Sequence, residues 1–159
     1  MSRALTAVLV VLALVPTPGW AGDPVVDYED TDPEMNAAID QARATLPHFF
    51  EQLYNRVDEL EYFGVKVAVP TTSRPGLEHI WVGPFRPKGD GFEGYVANEP
   101  NHIEGLAFGD LLDFTRDQIT DWSYVVEGRR HGAYTLRVML PQIPQAQAAE
   151  IKATLAPLP

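Results

Sequence analysis

Apolar residues in the first part of the chain follow a helical period that starts near residue 33. Four of them are spaced four, three and four residues apart, so a helix places them on one face: Met35, Ile39, Ala42 and Leu46. Pro33 suits a first turn, with Thr31 or Asp32 as alternative N-caps. Pro47 either interrupts this helix or begins a second one that runs to about residue 55. The pattern predicts an N-terminal helical unit that lies across a sheet.

The period changes to alternation at Tyr62, which indicates strands. Val65 and Val67 face one way and Lys66 faces the other, as in a strand with one buried side. Turns rich in Gly, Pro and Asn separate the later apolar segments. We therefore expect strands at residues 62–69, 77–85, 92–96, 111–115 and 121–126.

The C-terminal part is less regular. Residues 133–140 fit either a strand or a helix, because a short apolar run satisfies both periods. Pro141 and Pro144 then precede a short helix at about 145–155. A helix followed by hairpin-connected strands predicts an α+β fold, in which the helical unit packs on a twisted antiparallel sheet of about five strands.

The first 21 residues have the features of a secretory signal peptide. Arg3 gives a positive start, residues 4–15 are almost entirely apolar, and Pro16 ends the run. The small residues Gly19 and Ala21 predict cleavage after Ala21. A retained membrane anchor is the alternative, but a helix that crosses a bilayer needs about 20 apolar residues, more than this run offers.

We expect the mature chain to begin at Gly22 and to be periplasmic or secreted, without a membrane span. Residues 22–32 carry five acidic residues and no basic one, which predicts a flexible acidic leader. By length, the rest is a single domain at 33–143, followed by a helix and tail at 144–159. We expect a monomer.

The charge balance disfavours polyanionic partners. The chain has 12 Lys plus Arg and 22 Asp plus Glu, a net charge of −10. Removal of residues 1–21 takes away Arg3 and no acid, which leaves 11 basic against 22 acidic residues and a net charge of −11. Binding to nucleic acid or anionic membrane depends on clustered Lys and Arg, and the longest cluster is Arg129–Arg130. We expect neither partner.

Several kinds of chemistry lack the residues that they need. The absence of cysteine rules out disulfides, thiolate nucleophiles, Cys-ligated zinc and a lipid anchor on cysteine. Phosphate-binding, dinucleotide, zincin and esterase motifs do not occur. Without these motifs, we predict no cofactor. The four histidines are His48, His79, His102 and His131. Because no two of them are two to four residues apart, we also predict no metal site.

Seven residues are candidates for ligand binding. Trp81, Trp122 and Tyr124 either fill the core or line a groove. Asp121 should face away from Trp122 and pair with Arg137, as a structural pair or as a grip on a ligand. The other two candidates are His79 and the loop residue Asn98.

Four segments, in this order and spacing, resemble the bacterial domain-of-unknown-function family 2314. They are Glu78–Trp81, Asn98–Pro100, Ile119–Tyr124 and Gly132–Arg137, within a likeness that covers roughly residues 34–140. The resemblance implies a small α+β domain that occurs in exported bacterial proteins and beside repeat modules in larger chains. It implies no reaction, ligand or active site.

The sequence favours a non-enzymatic binding module over two alternatives. An acidic exported domain without a complete catalytic set suits a cationic protein partner, such as a toxin that an immunity-type inhibitor would block. The first alternative is an envelope hydrolase that uses His79 or His102 with a carboxylate. The second is a structural domain without a specific ligand.

Overall fold

The structure, a computed structural model, describes residues 32–159. The expected signal peptide, and all of the acidic leader except Asp32, lie outside the described residues. The α-helices are α1 (Pro33–Ala44), α2 (Leu46–Arg56), α3 (Tyr134–Met139) and α4 (Gln145–Thr154). The strands are β1 (Tyr62–Pro70), β2 (Leu77–Lys88), β3 (Gly91–Val96), β4 (Leu111–Phe114), β5 (Ile119–Val126) and β6 (Arg129–Gly132).

Local chemistry explains how the N-terminal helices begin. The Asp32 side chain accepts a hydrogen bond from the backbone N–H of Met35 at 2.8 Å, so Asp32 is the N-cap of α1. Pro33 occupies the first turn, where its missing N–H removes no helical hydrogen bond. Pro47 lies in the first turn of α2 in the same way. Pro47 therefore begins a second helix and does not interrupt the first.

The strands form one antiparallel sheet in the order β4-β3-β2-β1-β5-β6. The predicted α+β fold is confirmed, with a six-stranded sheet where about five strands were expected. The additional strand is β6, which pairs with β5 after a tight turn at Glu127 and Gly128. Its sequence, Arg-Arg-His-Gly, has no alternation of apolar and polar residues that would have predicted it.

One face of the sheet forms the main core beneath α1 and α2. Phe49 of α2 is fully buried and stacks on Trp122 and Tyr124 of β5, with ring centroids 5.4 and 6.4 Å away. The Trp122 Nε1–H donates to Ala42 O at 3.0 Å and so attaches β5 to α1. Since a buried indole N–H needs an acceptor, this bond fixes the position of the helices on the sheet.

The opposite face of the sheet carries polar side chains, and we call it the polar face. Its position follows from the register: Lys66 of β1 lies between Trp81 of β2 and Asp121 of β5. Ala68 is opposite His79, and cross-strand partners project to the same face. Three of the predicted candidates, His79, Trp81 and Asp121, are therefore on one surface of the sheet.

The C-terminal segment packs at the β6 end of the sheet. Residues 133–140, which the sequence left open between strand and helix, form α3 and the turn after it. A second buried cluster joins α3 to α4 and the residues that follow α4. Its members are Ala133, Leu136, Met139, Leu140, Ile143, Ala148 and Leu155. The C-terminal helix is thus part of the packed structure.

Candidate functional site

Asp121 is fully buried and accepts four hydrogen bonds. Its Oδ1 accepts from the backbone N–H groups of Trp122 (2.8 Å) and Tyr134 (3.1 Å). Its Oδ2 accepts from the backbone N–H of Thr135 (2.8 Å) and from the Thr135 hydroxyl (2.7 Å). Tyr134 and Thr135 are the first residues of α3, so Asp121 caps that helix from a neighbouring strand. All four hydrogen bonds are donated to the Asp121 oxygens, and an ionised carboxylate can accept all of them.

Lys66 and Thr135 complete this polar cluster, and neither was a predicted candidate. The Lys66 ammonium donates to Thr135 Oγ1 at 2.8 Å, and that hydroxyl in turn donates a hydrogen bond to Asp121 Oδ2. Burial raises the pKa of Asp121, while the charge of Lys66 and the bonds from Thr135 and Trp122 lower it. The Lys66 ammonium also lies 5.1 Å from the Trp81 ring centroid, within cation–π range. The place of Lys66 between β2 and β5 follows from the strand order, which the sequence did not predict, so no local signal marked it as part of a cluster.

Ser123 lies on the same face, two residues beyond Asp121 on β5. It is paired across the strands with Gly64 and is fully buried. Its hydroxyl is one of the buried side-chain atoms within residues 32–159 for which no hydrogen-bond partner is found. The polar face therefore combines a satisfied charge cluster with one unsatisfied hydroxyl.

The rings of His79 and His102 contact hydroxyl groups. The Nδ1 atom of His79 is 2.9 Å from Thr120 Oγ1, and that hydroxyl donates to Lys66 O at 3.3 Å. Thr120 then serves as an acceptor for the Nδ1–H of His79. His102 Nδ1 is 3.3 Å from Ser73 Oγ. These bonds position each ring through a neutral side chain.

Asn98 supports the backbone next to Trp81. Its side-chain oxygen accepts from the Trp81 N–H at 2.7 Å, and its amide nitrogen donates to Glu99 O at 3.2 Å. Trp81 itself is 4% exposed and packs with Ala97 and Tyr62. Asn98 thus fixes the loop after β3 to the centre of β2.

Trp122 and Tyr124 lie on the helix-covered face, away from the polar face. Both are buried, and their rings stack 5.9 Å apart with an interplanar angle of 8°. His131 of β6 stacks on Tyr124 at 4.6 Å, and burial lowers the pKa of His131. Of the two interpretations, core filling or a groove, the structure shows the first for Trp122 and Tyr124, because both belong to the buried core.

The predicted pair of Asp121 with Arg137 does not form. Arg137 donates through Nε to Gly132 O at 3.0 Å and through Nη2 to Ala156 O at 2.6 Å. The reason is geometric: in a strand, Thr135 and Arg137 would share a face, whereas in a helix they point about 200° apart. Because α3 is a helix, Thr135 faces Asp121 and Arg137 faces the C-terminal tail.

A second charged cluster lies at the far end of the polar face. Glu93 of β3 accepts from Lys88 at 2.6 Å and from Arg86 at 2.8 Å, both on β2. These hydrogen bonds, from Lys88 first and then Arg86, lower the pKa of Glu93 to about 2. Lys88 also bridges to Asp113 of β4 at 2.9 Å. The cluster joins three strands at the β4 edge.

Beside this cluster, exposed apolar side chains meet carboxylates in what we call the acidic–apolar patch: Tyr95, Glu99, Phe108, Asp110 and Leu111. Tyr95 and Leu111 are cross-strand partners and are 50% and 54% exposed. Phe108, which is 59% exposed, donates its N–H to Glu99 Oε2 at 3.3 Å. Asp110 Oδ2 accepts from Ala107 N at 2.9 Å.

The acidic–apolar patch has no nearby compensating charge in the sequence. Residues 89–115 contain no Lys or Arg, and their acidic residues are Asp90, Glu93, Glu99, Glu104, Asp110 and Asp113. Among the ion pairs of residues 32–159, the carboxylates used are those of Glu59, Glu93 and Asp113. None of the five patch residues is among the predicted candidates, although the run without basic residues is visible in the sequence.

Two further findings concern metals and membranes. No group of three or more His, Cys, Asp or Glu side chains is arranged to hold a metal ion in the part of the chain that the structure covers. Across the same 128-residue portion from Asp32 to Pro159, none of the helices has the length and apolar character to cross a bilayer.

Comparison with other sequences finds two bacterial relatives. A protein of Neisseria meningitidis serogroup B, named "Putative ankyrin repeat protein NMB1133/NMB1171", is 28% identical over 136 residues. The match covers 81% of this chain but 54% of that protein, so the chain spans about half its length. "Uncharacterized protein YegJ" of Escherichia coli K12 is 27% identical over 121 residues, which are 76% of each chain. No solved structure gives a significant match.

The family comparison covers nearly all of the described residues. Residues 32–155 match the family described as "Uncharacterized protein conserved in bacteria (DUF2314)". This range contains α1 to α4, all strands of the sheet, the polar face and the acidic–apolar patch. The chain therefore belongs to the DUF2314 family.

Proposed function

We propose that this DUF2314 protein is an exported, non-enzymatic binding module whose partner is a cationic protein. The observation that carries the proposal is the acidic–apolar patch, in which three half-exposed apolar side chains accompany Glu99 and Asp110, two carboxylates that take part in no ion pair among residues 32–159. Buried apolar area supplies affinity at protein interfaces, and complementary charge supplies association rate and selectivity. A partner with Lys or Arg around an apolar centre matches both properties.

The interior polar cluster supports the scaffold in this proposal. Asp121 and Thr135 are buried, and Thr135 links the Asp121 carboxylate to the half-buried ammonium of Lys66. They hold α3 against β5, and the acidic–apolar patch is at the other end of the sheet order, on β3, β4 and the loop that joins them. We therefore assign partner recognition to the acidic–apolar patch and fold support to the interior cluster.

The first experiment uses the chain from Gly22 onward as bait in a periplasmic extract. A matched variant carries Glu99→Gln and Asp110→Asn, which keep an acceptor oxygen for the N–H groups of Phe108 and Ala107. We expect the unmodified bait to capture a basic protein at about 50 mM salt and to lose it at about 500 mM, where the Debye length is about 4 Å. Equal capture by the variant, or no capture by either bait, would contradict the proposal.

The second experiment tests the cellular address. The expected cleavage after Ala21 gives a product that begins at Gly22. Intact-mass measurement of protein from a periplasmic fraction should find that N-terminus, and Ala21→Gln should slow processing because signal peptidase requires a small residue there. A soluble cytoplasmic product that retains Met1 would exclude export.

A further inference from the structure

The outer edge of β4 is an open sheet edge beside the acidic–apolar patch. β4 is the terminal strand of the sheet and pairs with β3 on its inner side. The Val96 N–H donates a hydrogen bond to Asp110 O at 2.8 Å. In an antiparallel ladder, hydrogen-bonded and non-hydrogen-bonded pairs alternate, so the next pair, Tyr95 and Leu111, exchanges no backbone hydrogen bonds. By the alternation of an antiparallel ladder, the N–H and C=O groups of Leu111 and Asp113 then point away from β3.

The geometry points to strand addition: we propose that a basic segment of the partner docks in extended conformation along β4, pairing with the outward groups of Leu111 and Asp113. The proposal rests on the proposed function and specifies how the same patch is used. Strand addition gives affinity through main-chain bonds and specificity through alternate side chains. An exposed edge with an apolar residue is a template for such pairing.

The side chains around β4 define the chemistry of the added segment. Leu111 and its neighbour Tyr95 are half exposed on the polar-face side, so the partner residue opposite Leu111 should be apolar. Asp110 directly precedes Leu111, and Glu99 contacts Phe108 of the same patch. No ion pair within residues 32–159 neutralises either charge. The partner residues that flank the apolar position should therefore be Lys or Arg.

Charge also argues against a second copy of this chain as the occupant. Across a symmetric edge-to-edge contact, the carboxylates beside β4 would meet their own copies, and the Lys88 ammonium at this edge is already bound to Glu93 and Asp113. Like charges that face each other across an interface oppose association. A heterologous basic strand removes that repulsion.

The experiment titrates the ¹⁵N-labelled chain from Gly22 with a synthetic peptide of alternating Val and Lys at about 50 mM salt, where charge attraction is weakly screened. We expect amide shifts concentrated at 110–114 and cross-strand contacts from the peptide to Leu111 and Asp113. A peptide of alternating Val and Glu is the charge control and should not bind. Shifts spread over other strands, or none at all with the Lys peptide, would overturn the proposal.

Variants at Leu111 separate the edge from the patch as a whole. Leu111→Pro removes an outward N–H at the first residue of an edge strand, where proline is tolerated, and Leu111→Val keeps it. We expect Leu111→Pro to raise the peptide Kd about tenfold, since each lost backbone bond is a several-fold effect, and Leu111→Val to change it less than about twofold.

Several outcomes distinguish the two proposals. If Leu111→Pro binds as well as Leu111→Val while Glu99→Gln with Asp110→Asn weakens binding, strand addition is wrong and the proposed function stands. If Leu111→Pro fails to fold, the contacts to Leu111 and Asp113 in the unmodified chain decide. A dimer in sedimentation experiments that Leu111→Pro abolishes would assign the edge to a second copy and overturn the inference.

Discussion

At the scale of single residues, Asp121 connects parts of the chain that are far apart in sequence. Its carboxylate satisfies the N–H groups of Tyr134 and Thr135, which would otherwise be unpaired at the start of α3. Ala133, the residue before α3, has a left-handed backbone and offers no side-chain cap. The helix therefore depends on a cap that comes from β5.

Replacing Asp121 with Asn should be strongly destabilising. Each carboxylate oxygen faces two donors, so an amide nitrogen at either position would meet N–H or O–H groups without an acceptor. Buried donors left unpaired cost about 1–3 kcal/mol each, and the variant should lose about 3–5 kcal/mol in free energy of unfolding. Urea denaturation measures the free energy of unfolding of the variant and of the unmodified chain. Asp113→Asn, at a side chain that is 64% exposed, is the control and should lose less than about 1 kcal/mol.

Glu93 should make stability depend on acid. Its pKa in the folded protein is about 2, below the usual value of 4.5, because Lys88 and Arg86 bind the ionised form. Because the pKa of Glu93 is lower in the folded protein, ionised Glu93 contributes to the free energy of unfolding above pH 4.5. This contribution to stability is lost as the pH falls toward 2. Glu93→Gln should therefore be less stable than the unmodified chain at pH 7, with a difference that shrinks below pH 4.5. A difference independent of pH would exclude this role.

The alternation of side chains along β5 predicted the orientation of Asp121 but not its partners. Asp121 was correctly expected to face away from Trp122, because strand side chains alternate. Arg137 was expected to pair with it as a bidentate donor on a neighbouring element, and this expectation was wrong because residues 134–139 form a helix that turns Thr135 toward Asp121. Lys66 received no role because the polar side of β1 looked like a solvent-exposed face, and its partners lie 55 and 69 residues away in sequence.

At the scale of elements, the turn from β6 to α3 depends on two consecutive left-handed residues. Gly132 has φ of 74° and Ala133 has φ of 53°. A Cβ on Gly132 would come within 2.5 and 2.6 Å of the Trp122 ring. Glycine at 132 thus allows the backbone to pass directly over Trp122 and turn into α3.

Gly132→Ala should destabilise through both the backbone and the ring contact. A left-handed non-glycine residue costs about 1 kcal/mol, and overpacking adds about 1–3 kcal/mol, so we expect a loss of about 2–4 kcal/mol. Gly128→Ala is the matched control, because Gly128 also has positive φ (67°) but open space around a Cβ. Its loss should stay near 1 kcal/mol. Thermal unfolding of the two variants compares the contributions, and equal losses would show that the Trp122 contact is unimportant.

Elements differ in how far their own residues specify them. The alternation from Tyr62 onward predicted β1, and Pro33 predicted the start of α1, because those signals are local. Pro47 left open whether the first helix was interrupted or a second one began. β6 and α3 were not determined in the same way. β6 forms because the turn at Glu127 and Gly128 returns the chain alongside β5, and α3 forms because Asp121 caps it. Both causes are tertiary.

At the scale of the whole molecule, the C-terminal segment closes the β6 end of the fold. Arg137 and Arg129 donate to the backbone oxygens of Ala156 and Leu155, both at 2.6 Å. The Ala156 N–H donates to Arg130 O at 2.8 Å. Leu155 and Ala148 are buried with the apolar residues of α3. The segment therefore completes a core that α3 alone would leave open to water.

Removing residues 145–159 should unfold or strongly weaken the protein, whereas removing 157–159 should not. The longer deletion exposes the second buried cluster and removes the carbonyl acceptors that Leu155 and Ala156 offer to Arg129 and Arg137. Burial of an aliphatic side chain contributes about 1.5–3 kcal/mol, so we expect a loss of about 3–5 kcal/mol, or about 10–20 °C in Tm. Residues 157–159 are exposed, and their removal should change Tm by less than about 2 °C. Calorimetry on both truncated proteins measures the two losses, and a stable protein without residues 145–159 would show that the sheet and α3 need no C-terminal cover.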